Sequence, residues 1–175
     1  SQADYNQSVH GGGHGDYRLI TLAPSSVQEM ADFVGLGFDL AFKYNNPAMI
    51  LADGIIGQMM EKVVLPPFTP RRTDDEIRKE CPWATLGKVG GRKRNVITSL
   101  ELDAAVMEEN NLRFQAKYKK IEENEVRFQE IMCDDAEYLL VAFGSSARIC
   151  QKVVELAREQ GIKLGLLRPI TLWPF

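Results

Sequence analysis

The apolar positions of this chain fall into blocks with two spacings, and the blocks alternate. "YRLITLAP" carries alternate and consecutive apolar residues stopped by Pro24, the pattern of a short buried strand ended by turn residues. Ser26 is then followed three residues later by Glu29, a capping box in which hydroxyl and carboxylate each satisfy an unpaired backbone donor at a helix start. Met30, Phe33, Val34, Gly37, Leu40, Ala41 and Tyr44 recur at helical spacing until Asn45, Asn46 and Pro47 close the helix. "AMILAD" reads as a second buried strand. Asp53-Gly54 places an acid and a pliable turn at its carboxyl end, the edge at which ligands usually sit in open parallel sheets. Strand, helix and strand in that order form a right-handed crossover unit, so the fold class is α/β and this stretch predicts half of a parallel sheet.

From Val64 to about Asn95 the chain turns rich in Pro, Gly and charge, which reads as a linker. Within it the basic run Arg92, Lys93, Arg94 is placed to touch a phosphate, although such a short run in a Gly-rich loop is more often simply solvated. Between about Asp103 and Ile131, Met107, Phe114, Ile121 and Phe128 recur every seven residues, with Asn111, Tyr118, Glu125 and Met132 between them. The polar entries in that seam predict a connecting helix packed along a larger body, with a free-standing coiled coil as the alternative. The last segment repeats the strand, helix, strand order. "YLLVAF" leads into Gly144-Ser145-Ser146, and Ala147, Cys150, Val153, Val154 and Ala157 form the apolar face of a helix, widened by Ile149 and Leu156 and ended by Gly161. "GLLRPITLWPF" is the closing strand. The backbone donors at the Gly-Ser start either cap the helix or hold an anion.

Composition narrows the class. The 175 residues are 45% hydrophobic and 26% charged with a net charge of −3, which suits a globular chain and gives no reason to expect nucleic acid or an anionic membrane as partner. No apolar run approaches the roughly 20 residues that span a bilayer. Cys81, Cys133 and Cys150 are scattered without a C-x-x-C pair, which argues against a zinc or iron-sulfur site held by this chain and fits a reducing cytoplasm. His10 and His14 flank a triple glycine without a further ligand run, so the stretch reads as a flexible polar loop and not a metal site. The start lacks an initiator Met and a signal-peptide pattern, which predicts a cut or processed end. At the other end, one strand-helix-strand unit cannot cover both faces of a sheet, which predicts further chain or cover from another surface.

"LAPSSVQEM" and "LADGIIGQMME", in this order and followed by "LLVAFGSSARICQKVVELAREQGIKLGLLRPITLWPF", are similar to the alpha subunit of the 2-oxoacid:ferredoxin oxidoreductases, most of all the branched-chain type acting on 3-methyl-2-oxobutanoate (2-oxoisovalerate). The resemblance implies a thiamine-diphosphate enzyme that oxidatively decarboxylates a 2-oxoacid to acyl-CoA and reduces ferredoxin. It implies residues 1–63 as the C-terminal half of a pyrimidine-binding-like domain, 64–132 as linker and long helix, and 133–175 as the start of a transketolase C-terminal-like domain. It further implies thiamine diphosphate and Mg shared with or on a beta subunit, iron-sulfur clusters on gamma- and delta-type subunits, coenzyme A as acyl acceptor, and no catalysis by this chain alone. The family's substrate-contacting loop and cofactor-activating glutamate would lie upstream of Ser1. By position, His14, Asp16, Asp53 and Gln58 are expected at the active-site wall or a subunit contact, against ordinary loop and capping roles. A non-catalytic assembly module, or a component of a transketolase-like or 2-oxoacid dehydrogenase enzyme, is the alternative function.

Overall fold

The first buried strand, β1 (Ile20–Leu22), lies between two neighbours in a computed structural model that describes residues 3–13, 17–85, 87–88 and 91–175. On one side β2 (Ala48–Ile50) pairs in parallel, in register from Ile20↔Ala48 to Leu22↔Ile50. Between them runs α2 (Val27–Tyr44), as its apolar spacing predicts. On the other side β6 (Thr171–Trp173) pairs antiparallel with β1. A second sheet has the order β3-β5-β4, with β3 (Phe128–Ile131) antiparallel and β4 (Tyr138–Val141) parallel to the central β5 (Leu164–Pro169). The class is α/β as expected, but both sheets are mixed. The closing strand is in fact two, because the chain leaves β5 at Ile170 and enters the first sheet, where β6 runs antiparallel to β1.

Residues 1–65 and 114–175 form one compact unit and residues 66–113 another. In the larger unit Ile20, Leu40, Tyr118, Ile121 and Trp173 make a buried cluster, with Tyr118 edge-on to Trp173 at 5.8 Å between ring centroids. A fully buried aliphatic of this kind contributes about 1.5–3 kcal/mol. Helix α2 buries Phe33, Gly37 and Leu40, whereas Val34, expected on the same face, is exposed. Its end is as predicted: Asn45 takes a left-handed conformation (φ 45°) and its N–H donates to the Ala41 and Phe42 carbonyls. In α6 (Gly144–Glu159) Ala147 and Val154 are buried and Cys150 is half-buried, while Val153, Ile149 and Leu156 face outward, so the buried stripe is narrower than expected.

Ahead of the triple glycine lies α1 (Ala3–His10), whose Ser8 is buried and accepts at its carbonyl from the Thr21 hydroxyl. Two expectations need correction. The long helix α5 (Ala104–Asn124) stops short of Ile131, since burying Glu125 among cations turns the chain and frees Phe128–Ile131 to pair with β5. Only Tyr118 and Ile121 of the seven-residue seam are buried in it. The supposed linker contains α4 (Asp74–Glu80), begun by a complete capping box between Thr73 and Glu76 and laced by Arg71–Asp74, Arg78–Asp75 and Arg72–Glu80 ion pairs. No helix among the described residues is long and apolar enough to cross a membrane.

Candidate functional site

β1 and β2 are parallel, so the turns that follow them, Ser25-Ser26 and Asp53-Gly54, open at one edge of the first sheet. At the second turn Asp53 caps α3 (Gly54–Gln58), its Oδ1 accepting from the Ile55 and Ile56 amides at 3.1 and 3.0 Å. Its Oδ2 accepts from the Ser145 amide at 2.7 Å, at the start of α6. The anion at the Gly-Ser helix start is therefore the chain's own carboxylate. Burial opposes its charge, but the donors from Ile56, Ser145 and Ile55 prevail and hold Asp53 below the ordinary carboxylate range. Gly144 makes the approach possible: its φ is +61°, and a Cβ there would stand 2.9 Å from Asp53 Oδ2. Around this junction lies a cleft of about 160 Å³ lined by Asp4, Tyr5, Leu51, Asp53, Phe143 and Gly144, with Tyr5 stacked on Phe143 at 5.8 Å.

The first turn is held by a network between distant segments. Ser26 accepts from the Glu29 amide at 3.1 Å as predicted, but the Glu29 carboxylate reaches the Ser25 amide (2.7 Å) and not that of Ser26, because it is also claimed from the other side. Arg168, 5% exposed, forks onto it with Nη1 at 2.9 Å and Nη2 at 2.5 Å. Burial pushes the Glu29 carboxyl up, and Arg168 and Ser25 together bring it below its usual range. Beside it Glu61 accepts from the Val27 amide at 3.0 Å and pairs with Arg148 at 2.8 Å, which holds Glu61 low as well. Arg168 and Glu29 are 139 positions apart, so nothing local in the chain signals the pair. The only hint is an arginine inside an otherwise apolar strand.

Of the residues expected to contribute to a site, Asp53 lies in the cleft. Gln58 is exposed at the far end of α3 and does not line it. His14 and Asp16 fall outside the described residues. Glu29, Asp53 and Glu61 are held ionised by amides and guanidinium groups, so they act as struts and not as proton donors. The described residues at this edge do not fit the metal-diphosphate end of thiamine diphosphate. Among the described residues no group of three His, Cys, Asp or Glu side chains is placed to hold a metal, and amides at both nearby helix starts are taken by Asp53.

A family model described as pyruvate flavodoxin/ferredoxin oxidoreductase, thiamine-diphosphate-binding, matches residues 1–132. The chain belongs to this oxidoreductase family. A second model, pyruvate:ferredoxin oxidoreductase core domain II, matches residues 136–175. Among curated members, the ketoisovalerate oxidoreductase subunit VorB of Methanothermobacter marburgensis is 52% identical, over 99% of this chain and 48% of its own length. The 2-oxoglutarate synthase subunit KorA of Methanocaldococcus jannaschii is 36% identical, over 100% of this chain and 52% of its own. The chain thus spans about half the length of the curated relatives it matches. A solved 2-oxoglutarate:ferredoxin oxidoreductase from Magnetococcus marinus, with 2-oxoglutarate, coenzyme A and succinyl-CoA bound, superposes with a TM-score of 0.75 at 20% identity, covering 100% of this chain and 34% of that one, and so shows the oxidoreductase fold. The two family-bearing blocks, "LAPSSVQEM" and "LADGIIGQMME", contain Ser25, Ser26, Glu29, Asp53 and Glu61, the residues that build the two turns of the sheet edge.

Proposed function

We propose that this chain is alpha-subunit sequence of a 3-methyl-2-oxobutanoate:ferredoxin oxidoreductase, which converts the 2-oxoacid to acyl-CoA and reduces ferredoxin. One observation carries the substrate assignment: identity is 52% with a ketoisovalerate subunit and 36% with a 2-oxoglutarate subunit, each over essentially the whole chain. The chain contributes a wall of the cleft. Asp53 fixes the β2–α3 turn against α6, Glu29 and Arg168 fix the β1–α2 turn, and the reacting groups come from elsewhere in the assembly. Thiamine diphosphate with Mg belongs to a beta-type subunit or is shared with it, and iron-sulfur clusters belong to gamma- and delta-type subunits of a cytoplasmic enzyme. The segments 1–63, 64–132 and 133–175 correspond to a pyrimidine-binding-like half-domain, a connecting region and the beginning of the next domain, a division supported by family matches that meet between residues 132 and 136.

The test is CoA-dependent viologen or ferredoxin reduction by the complex built with these partners. 3-Methyl-2-oxobutanoate should give the highest kcat/KM. A preference for 2-oxoglutarate would overturn the substrate assignment, and a requirement for a lipoyl acceptor would overturn the family chemistry. A second reading, a purely structural assembly module, draws on the saturation of Glu29, Asp53 and Glu61 at the sheet edge. It predicts full activity after disruption of the Asp53 turn, provided the complex still assembles.

A further inference from the structure

The unit formed by residues 66–113 holds a cavity of about 540 Å³, lined by Thr85, Lys88, Arg92, Lys93, Arg94 and Asn95 with two glycines. Those glycines, Gly87 and Gly91, have φ of +78° and +73°, a left-handed backbone that glycine adopts without strain. Its base is tied by Arg92, which donates to the Ala84 carbonyl at 2.9 Å, and by Asn95, which donates to the Pro82 and Trp83 carbonyls at 3.3 and 3.1 Å. Four of the lining side chains are cations and none of the described lining is a carboxylate. Elsewhere in this unit the arginines Arg71, Arg72 and Arg78 are each matched by an acid of α4. Among the described residues no carboxylate pairs with Lys88, Lys93 or Arg94, on a chain whose net charge is −3.

Like charges gathered in a concave surface repel one another and raise the local concentration of anions. Arginine presents a fork that matches phosphate, and lysine adds a point charge. The volume lies within the roughly 300–1,000 Å³ typical of small-molecule sites, and a hollow suits a small anion better than the broad face of an acidic protein. We propose that Lys88, Lys93 and Arg94 bind the phosphates of an adenosine 3′,5′-bisphosphate group, the head of coenzyme A, with Arg92 holding the loop in shape. The choice of coenzyme A rests on the oxidoreductase reading above.

Direct binding tests it without turnover. The complex containing this chain is titrated calorimetrically with adenosine 3′,5′-bisphosphate, with adenosine and pantetheine as controls, for wild type and for Lys93→Ala/Arg94→Ala. The bisphosphate should bind in a salt-sensitive manner and lose at least about tenfold in affinity in the variant. The controls should not respond to the substitution. The charge-keeping Lys93→Arg/Arg94→Lys variant should stay within a few-fold of wild type, which separates lost charge from lost folding. In turnover, KM for coenzyme A should rise by a similar factor with kcat and the 2-oxoacid KM unchanged. Equal nucleotide affinity in wild type and the alanine variant overturns the proposal, as does loss of ferredoxin binding with nucleotide binding intact. Variant-sensitive nucleotide binding in a complex inactive on every 2-oxoacid would instead count against the reaction and leave the site standing.

Discussion

Glu125 is the most constrained acid described in the chain, and its replacement by glutamine is a quantitative test of how α5 gives way to β3. Its side chain is 2% exposed and receives Lys43 Nζ at 2.6 Å, the Tyr44 hydroxyl at 2.6 Å and Arg127 Nη1 at 2.7 Å. Burial alone would raise its pKa; the donors from Lys43, Tyr44 and Arg127 outweigh that and bring it from 4.5 to about 2. A tenfold change in proton affinity corresponds to about 1.4 kcal/mol, so holding the carboxylate this low stabilises the fold at neutral pH by about 3 kcal/mol. Lys43 is largely solvated, and screening there lowers the expected loss for Glu125→Gln to about 2–3 kcal/mol. Because the folded pKa is depressed, this stability is present above the unfolded value near 4.5 and is lost as pH falls toward 2. Urea unfolding of wild type and variant should therefore differ by about 2–3 kcal/mol at pH 7, and by less than half of that near pH 3, with an unchanged denaturant slope. A difference under about 1 kcal/mol at pH 7, or one that does not vary between these pH values, would refute the reasoning.

Gly144→Ala combines a left-handed backbone with a Cβ 2.9 Å from Asp53 Oδ2, and should cost at least about 2 kcal/mol in chemical unfolding, whereas Gly35→Ala, which meets no atom within 4 Å, should not destabilise. Asp53→Ala should cost about 2 kcal/mol by uncapping α3 and α6 together, and Asp53→Asn less than half as much, read from urea midpoints. Arg168→Met strands the Glu29 carboxylate and should cost about 3 kcal/mol, of which Arg168→Lys restores under half because a point charge cannot reproduce the fork.

What could be read in advance was local. The β1–α2–β2 unit follows from apolar spacing, the Ser26 cap and the Asn45-Asn46-Pro47 stop, and α6 with its Gly161 end follows in the same way. The start of α4 was equally readable, since Thr73 and Glu76 stand at capping-box spacing, but the surrounding prolines and charges masked it. Helix α1 gives only a weak apolar pattern and is held by its contacts, such as Tyr5 on Phe143. Phe128–Ile131 continues the seven-residue spacing and reads as helix; pairing with β5, some forty positions away, decides otherwise. The division of the closing segment between two sheets has the same origin. At the candidate site the caps were legible and the ion pairs were not. Asp53 stood out as an acid at a strand end, but its second partner, Ser145, lies 92 positions on.

The proposed role of this chain, a wall whose reactive partner groups lie elsewhere in the assembly, is tested most directly by titration calorimetry with thiamine diphosphate and magnesium. Heat of binding should appear when a beta-type subunit is present and be absent with this chain alone. Saturable binding by the isolated chain, or decarboxylation of a 2-oxoacid by it, would contradict the account.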